Sequence, residues 1–248
     1  GIDIGNDTVL TALPSSTVTK LLTLPDGNVL AASYGGGIFK VDTLLNAVSV
    51  PNLGSGSEVS RCRAMAFDSS GKLWIASFSN GVIRYDFATG NSDKFDISNS
   101  ALKTNYITDI CSSPCGDSIF VATHYGVYAF DALSGASFEL ETPGAGDERI
   151  VVDQLAFSAG GILYFATPDG LTDRNGTKVT LSGIPLIALE SSPDSTLWCS
   201  TDSAVYHVDV RYEPPRVEVF AKLDGLRLGK YALFDTGDGT VLAGAFGA

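Results

Sequence analysis

Ten residues of this sequence have the types and spacing to hold a small ligand: Tyr34, Arg61, Arg63, Phe78, Tyr106, His124, Arg149, Asp169, Asp202 and Phe246. Tyr34, Phe78, His124, Pro168 with Asp169, Asp202 and Phe246 each stand after a short apolar run. Thr17, Arg61 with Arg63, Tyr106, Arg149 and Lys230 stand before one. An arginine offers a planar fork that takes a carboxylate through two hydrogen bonds, and an aromatic face stacks on a sugar ring. Together they would bind a small anion or a carbohydrate. The same side chains could equally plug the space between them and pair with the chain's acids, because loop position alone does not separate a site from a plug.

Bond-making chemistry finds less support. A hard cation such as calcium needs several carboxylate or amide oxygens converging on one point. Asp153, Asp169 and Asp202 fall near the same loops, yet no matching glutamate or asparagine set accompanies them, and turn duty is the commoner role of such aspartates. Ser, His and Asp occur without the context of a nucleophile elbow, and no glycine loop of the phosphate-binding kind is present. No catalytic residue, metal or cofactor is therefore expected. The two Asn-x-Thr matches, Asn6-Asp7-Thr8 and Asn175-Gly176-Thr177, matter only where the source glycosylates. Of the four cysteines, only Cys111 and Cys115 are close in sequence, and neither His124 nor His207 completes a zinc set. Two readings of them stand open: buried free thiols, or a bridge between Cys111 and Cys115.

The elements that carry these positions repeat. Leu30, Trp74, Phe120, Tyr164, Trp198 and Leu242 form a column of large apolar residues spaced 44, 46, 44, 34 and 44 apart. Two positions after each comes a small residue: Ala32, Ala76, Ala122, Ala166, Ser200 and Gly244. A turn signal precedes each, Ser70-Gly71 and Asp238-Gly239 among them, and a strand opening on glycine follows most: Gly37 to Asp42, Gly81 to Asp86, Gly126 to Asp131, Gly170 to Asn175 and, without the glycine, Ala204 to Asp209. A unit of about 40–50 residues with four short strands is the signature of a propeller blade, which buries its faces only against its neighbours.

The expected fold is all-β, a six-bladed β-propeller of four antiparallel strands per blade. Blade one runs from about Thr17 to Leu53, with its outer strand over Ala47 to Val50, and blade two from Arg61 to Ile97. Blade three covers Tyr106 to Leu140, blade four Val151 to Leu181 and blade five Ile184 to Phe220. The sixth combines residues 230–248 with residues 1–13, so that the amino-terminal strands close the ring and leave no unpaired sheet edge. One domain over residues 1–248 follows, since neither half could close a ring alone.

Composition narrows the partners. The net charge is −12, from 16 basic and 28 acidic residues, which repels polyanions and argues against nucleic acid or an anionic membrane surface. Apolar runs are of strand length, so no membrane insertion is expected, and no secretory leader is read in these residues.

Blade two resembles the two-component regulator propeller repeat. The pattern lies in Phe67-Asp68-Ser69-Ser70-Gly71-Lys72-Leu73-Trp74-Ile75-Ala76-Ser77 and in Gly81 to Asp86. Blade one replaces the tryptophan with Leu30, and blade four lacks the Tyr-Asp ending. The resemblance implies an extracytoplasmic sensor region, periplasmic or secreted, of the kind found in hybrid histidine kinases, where larger propellers detect carbohydrate. It implies a non-catalytic module that takes a small-molecule or carbohydrate ligand or a partner protein. Six-bladed rings also include calcium-dependent lactonases and lyases, and a calcium-dependent hydrolase or lyase is the alternative.

Overall fold

Runs of five or six apolar residues closed by glycine or aspartate are too short for a packed helix and right for a strand, and the described residues contain no helix. The computed structural model describes residues 17–44, 46–54, 56–140, 151–202, 204–222, 227–235 and 241–246. Strands β1 (Val18–Thr23), β2 (Val29–Ser33), β3 (Gly37–Val41) and β4 (Ala47–Gly54) form the first sheet. Strands β5 (Cys62–Phe67), β6 (Leu73–Ser77), β7 (Gly81–Tyr85) and β8 (Ser92–Phe95) form the second. The third holds β9 (Ile107–Ser112), β10 (Ser118–Thr123), β11 (Gly126–Asp131) and β12 (Ser137–Glu139). The fourth holds β13 (Gln154–Phe157), β14 (Leu163–Thr167), β15 (Gly170–Asp173) and β16 (Lys178–Thr180). The fifth is β17 (Ala188–Ser191), β18 (Thr196–Ser200), β19 (Ala204–Asp209) and β20 (Arg216–Lys222), and β21 (Arg227–Asp235) pairs with β22 (Val241–Phe246). Every sheet is an antiparallel meander in chain order. The expected amino-terminal strands within residues 1–13 lie outside the described residues.

Two compact units divide the chain, residues 1–107 and 108–248. Inside unit 1, Leu30, Ala32 and Ile38 of the first sheet pack on Cys62, Met65, Leu73 and Ile75 of the second. Inside unit 2, Phe120, Ala122 and Val127 pack on Val152, Leu155, Leu163 and Phe165, while Tyr164, Ala166 and Leu171 pack on Leu186, Leu189, Leu197 and Cys199. A second strand is thus apolar on both faces because each face meets a different sheet. First strands lie side by side: β1 against β5, β13 against β17, and β17 against β21. Their free edges are tied by side chains. Thr19 Oγ1 donates to the Cys62 carbonyl (2.8 Å), Asp109 Oδ2 accepts from the Leu155 amide (2.8 Å), and Gln154 Oε1 accepts from the Leu189 amide (2.5 Å).

The glycine that opens a third strand has a steric cause. Gly37, Gly81 and Gly170 have φ of +90°, +77° and +114°, and a Cβ on each would strike the carbonyl of Leu53, Phe95 or Leu181 respectively. The aspartate at the far end caps the next turn. Asp42 Oδ1 accepts the amides of Leu44 and Asn46, Asp86 Oδ1 that of Ala88, Asp131 Oδ1 that of Ser134, and Asp209 Oδ1 that of Arg211.

Four expectations are corrected. β4 continues past Val50 to Gly54, because Gly37 pairs with Gly54 beyond an irregularity in the ladder. In the fourth sheet the strand expected over Gly170 to Asn175 ends at Asp173: β15 is shorter than its counterparts, and Asp173 Oδ1 takes the amides of Asn175 and Thr177 in the tight turn that follows. Lys230 lies within β21, not ahead of it, and Phe246 ends β22 instead of following it.

Candidate functional site

Antiparallel pairing of a first with a second strand sets the end of one beside the start of the other, so the loops named in the sequence share one end of each sheet. The amide of Tyr34 donates to the Thr17 carbonyl (2.8 Å) and that of Phe78 to the Arg61 carbonyl (3.0 Å). Gly35 donates across to Ser60 (2.5 Å), which sews the first sheet's loop to the entry of the second. On either side of Phe78, Ser77 Oγ (3.0 Å) and Asn80 Nδ2 (2.7 Å) donate to the Glu58 carbonyl.

On this frame three of the expected side chains meet. The Arg63 guanidinium lies 4.6 Å from the centre of the Phe78 ring, and Tyr106 meets that ring edge-on at 5.6 Å. Such a cation-over-ring contact holds both groups in place at about 0.5–1 kcal/mol when exposed. Tyr106 is 59% exposed, Tyr34 is 38% exposed, and Arg61, two residues before Arg63, is exposed. The cluster thus presents aromatic surface and guanidinium charge at one end of unit 1.

In unit 2 the entry to the fourth sheet is held between two strands, Val152 donating to the Thr123 carbonyl (3.2 Å) and Asp153 to that of Ala166 (2.9 Å). This sets His124 Nε2 3.9 Å from Asp153 Oδ1. Asp153 was set among the cation candidates by its sequence; its place just ahead of β13 is what brings it to the histidine. Thr167 Oγ1 donates to the Gly170 carbonyl (2.9 Å) and accepts the Asp169 amide (3.2 Å), fixing the Asp169 backbone while its side chain stays exposed. Asp202 is also exposed, and among the described residues neither carboxylate makes a hydrogen bond. Arg149 and the side chain of Phe246 lie outside the described residues. Among those residues, no three His, Cys, Asp or Glu side chains gather as a metal set would.

None of the four cysteines is in a disulfide, so the Cys111–Cys115 bridge is not formed. Burial pushes Cys199 up to about 12 and Cys62 higher still, which leaves both protonated and inert at neutral pH. Cys115 departs from the buried reading: it is exposed, its Sγ 3.7 Å from Ser113 Oγ.

The β-propeller domain of Cps50 (Swd1) from Myceliophteria thermophila matches with a TM-score of 0.67 over 94% of this chain and 81% of its own, at 12% identity. The chain has the fold of a β-propeller. Two further proteins similar in fold come from B. thetaiotaomicron. The extracellular domain of the proposed one component system BT4673 matches with a TM-score of 0.73 over 92% of this chain, at 14% identity. The extracellular domain of the proposed hybrid two component system BT3049 matches with a TM-score of 0.70 over 96%, also at 14% identity. This chain spans about a third of each of those two, 31% and 34%. Structures similar to it therefore include extracellular domains of two-component systems, the class that the Asp68 to Asp86 pattern resembles. No protein-family model matches the sequence, and no curated protein matches it. No helix among the described residues is long and apolar enough to cross a membrane.

Proposed function

We propose that this propeller is a non-catalytic, extracytoplasmic ligand-binding module of a sensor, and that its loops at the open ends of the sheets take a small molecule or a carbohydrate. In this reading residues 230–248 and 1–13 complete a sixth blade, and one ring brings Tyr34, Arg61, Arg63, Phe78, Tyr106, His124, Arg149, Asp169, Asp202 and Phe246 around a common mouth. The observation that carries the reading is the Arg63–Phe78–Tyr106 cluster, in which a guanidinium from the start of β5 and two rings on loops are held together. The fold shared with extracellular domains of two-component systems supports the location and the sensory role.

Titration calorimetry with a panel of neutral sugars and small carboxylates tests it. Arg61→Ala and Phe78→Ala are each expected to weaken the bound member by about 1–3 kcal/mol, the size of a charged hydrogen bond or an aromatic anchor. Arg216→Ala, whose guanidinium rests on Tyr212 at 3.7 Å away from these loops, is expected to leave affinity unchanged. Wild-type affinity in both loop variants overturns the site. Calcium held tightly by the purified protein, with a hydrolase or lyase activity abolished by chelator, overturns the non-catalytic reading.

A further inference from the structure

Three turn asparagines of this chain use their side chains to hold their own turns. Asn28 Nδ2 donates to Asp26 Oδ2 (2.8 Å), Asn46 Nδ2 to Asp42 Oδ2 (2.9 Å), and Asn99 Nδ2 to the Lys94 carbonyl (2.8 Å). Asn175, in the turn between β15 and β16, does not. That turn is closed without it: Asp173 Oδ1 accepts the backbone amides of Asn175 (2.9 Å) and Thr177 (2.8 Å), and Gly176 takes the left-handed position at φ +77°. Both side chains are exposed, and among the described residues neither makes a hydrogen bond. Thr123, Thr167 and Thr196, by contrast, each donate their hydroxyl within 3 Å to a neighbouring oxygen. An amide and a hydroxyl two residues apart, both idle and both in water, are the Asn-x-Thr arrangement that an oligosaccharyl transferase reads.

We propose that Asn175 is an acceptor for an N-linked oligosaccharide; the inference rests on the extracytoplasmic reading above. The donor is an oligosaccharide carried on a lipid diphosphate. Asn175 Nδ2 forms a bond to the anomeric carbon of the first sugar, the bond from that carbon to the diphosphate oxygen breaks, the lipid diphosphate leaves, and one Nδ2 proton passes to base. The glycan then projects from the outer hairpin of the fourth sheet, flanked by the exposed Arg174 and Lys178.

The test is secretion of the full chain behind a leader from cells that glycosylate asparagine, in an Asn6→Gln background that removes the other match. Amidase release in heavy-oxygen water converts a glycosylated asparagine to a labelled aspartate, read by mass in the chymotryptic peptide of residues 172–181. Label at position 175 on secreted, folded protein, lost in Asn175→Gln and Thr177→Ala, is the expected result. A wholly unlabelled peptide from folded protein overturns the proposal, as does label found only on chain that fails to fold and leave the cell. Because the leader is supplied, failure here is distinct from failure of the extracytoplasmic reading, which is tested by locating the natural protein in cell fractions.

Discussion

Trp74 is fully buried, and its Nε1 donates to Asp68 Oδ2 at 2.8 Å, while Asp68 Oδ1 collects the amides of Ser70 and Lys72 and the Ser70 hydroxyl. Burial raises the Asp68 carboxyl, but the donors from Ser70, Trp74 and Lys72 outweigh it and hold it below the usual carboxylate range. The Asp-x-x-Gly of the repeat and the tryptophan that follows are therefore one device: the carboxylate shapes the hairpin and anchors the ring. Trp198 repeats it in the fifth sheet with Ser192 Oγ as acceptor at 3.1 Å. Trp74→Phe leaves the carboxylate one donor short and is expected to lower stability by about 1–3 kcal/mol at neutral pH. The sign with pH follows from the depressed value: the contribution is complete above the unfolded aspartate range near 3.9 and is lost as pH falls through the folded value. Urea unfolding of wild type and Trp74→Phe at pH 7 and pH 3 checks this, since the gap between them should narrow on acidification. A gap that holds or widens contradicts the role given to the bond.

At the scale of the element, the third strand begins where the chain must pass against a carbonyl of the fourth. Gly81→Ala meets the Phe95 carbonyl in a left-handed conformation and is expected to cost about 2–5 kcal/mol, backbone strain and overpacking together. Gly35→Ala, at φ +87° with open space around it, carries the strain alone and should cost less. Equal melting temperatures for the two variants would contradict the steric account. This column was legible because glycine answers a backbone demand that no other residue meets cheaply, and each large apolar residue from Leu30 to Leu242 falls in a second strand. What was less legible was where a strand stops. The repeat register runs the strand from Gly170 to Asn175, while Asp173-Arg174-Asn175-Gly176-Thr177 reads as a tight turn that overlaps its end; β15 stops at Asp173, as the turn signal has it. Nor could position alone pair Arg63 with Phe78: a strand residue and a loop residue meet there because the Cys62–Ala64 irregularity in the ladder sits between Arg61 and the regular pairing that follows. The loops were readable from the repeat, and the side-chain contacts on them were not.

At the scale of the molecule, the proposed ring makes its own prediction. If residues 1–13 complete the blade begun by β21 and β22, deleting the first eight residues uncovers the edge of Val241 to Ala245 and lowers stability by several kcal/mol, roughly the burial of a few side chains. An unchanged melting temperature contradicts closure. The ties between first strands carry a further consequence. The amides of Leu155 and Leu189 are satisfied by Asp109 and Gln154 of the preceding sheet and not by a strand of their own. A sheet that opens therefore removes an acceptor from the next, and the neighbour is left with a buried, unanswered donor. Such coupling between nearest neighbours makes loss of order contagious along unit 2: partly opened states with one frayed blade are penalised, and melting should proceed as a single sharp event instead of blade by blade.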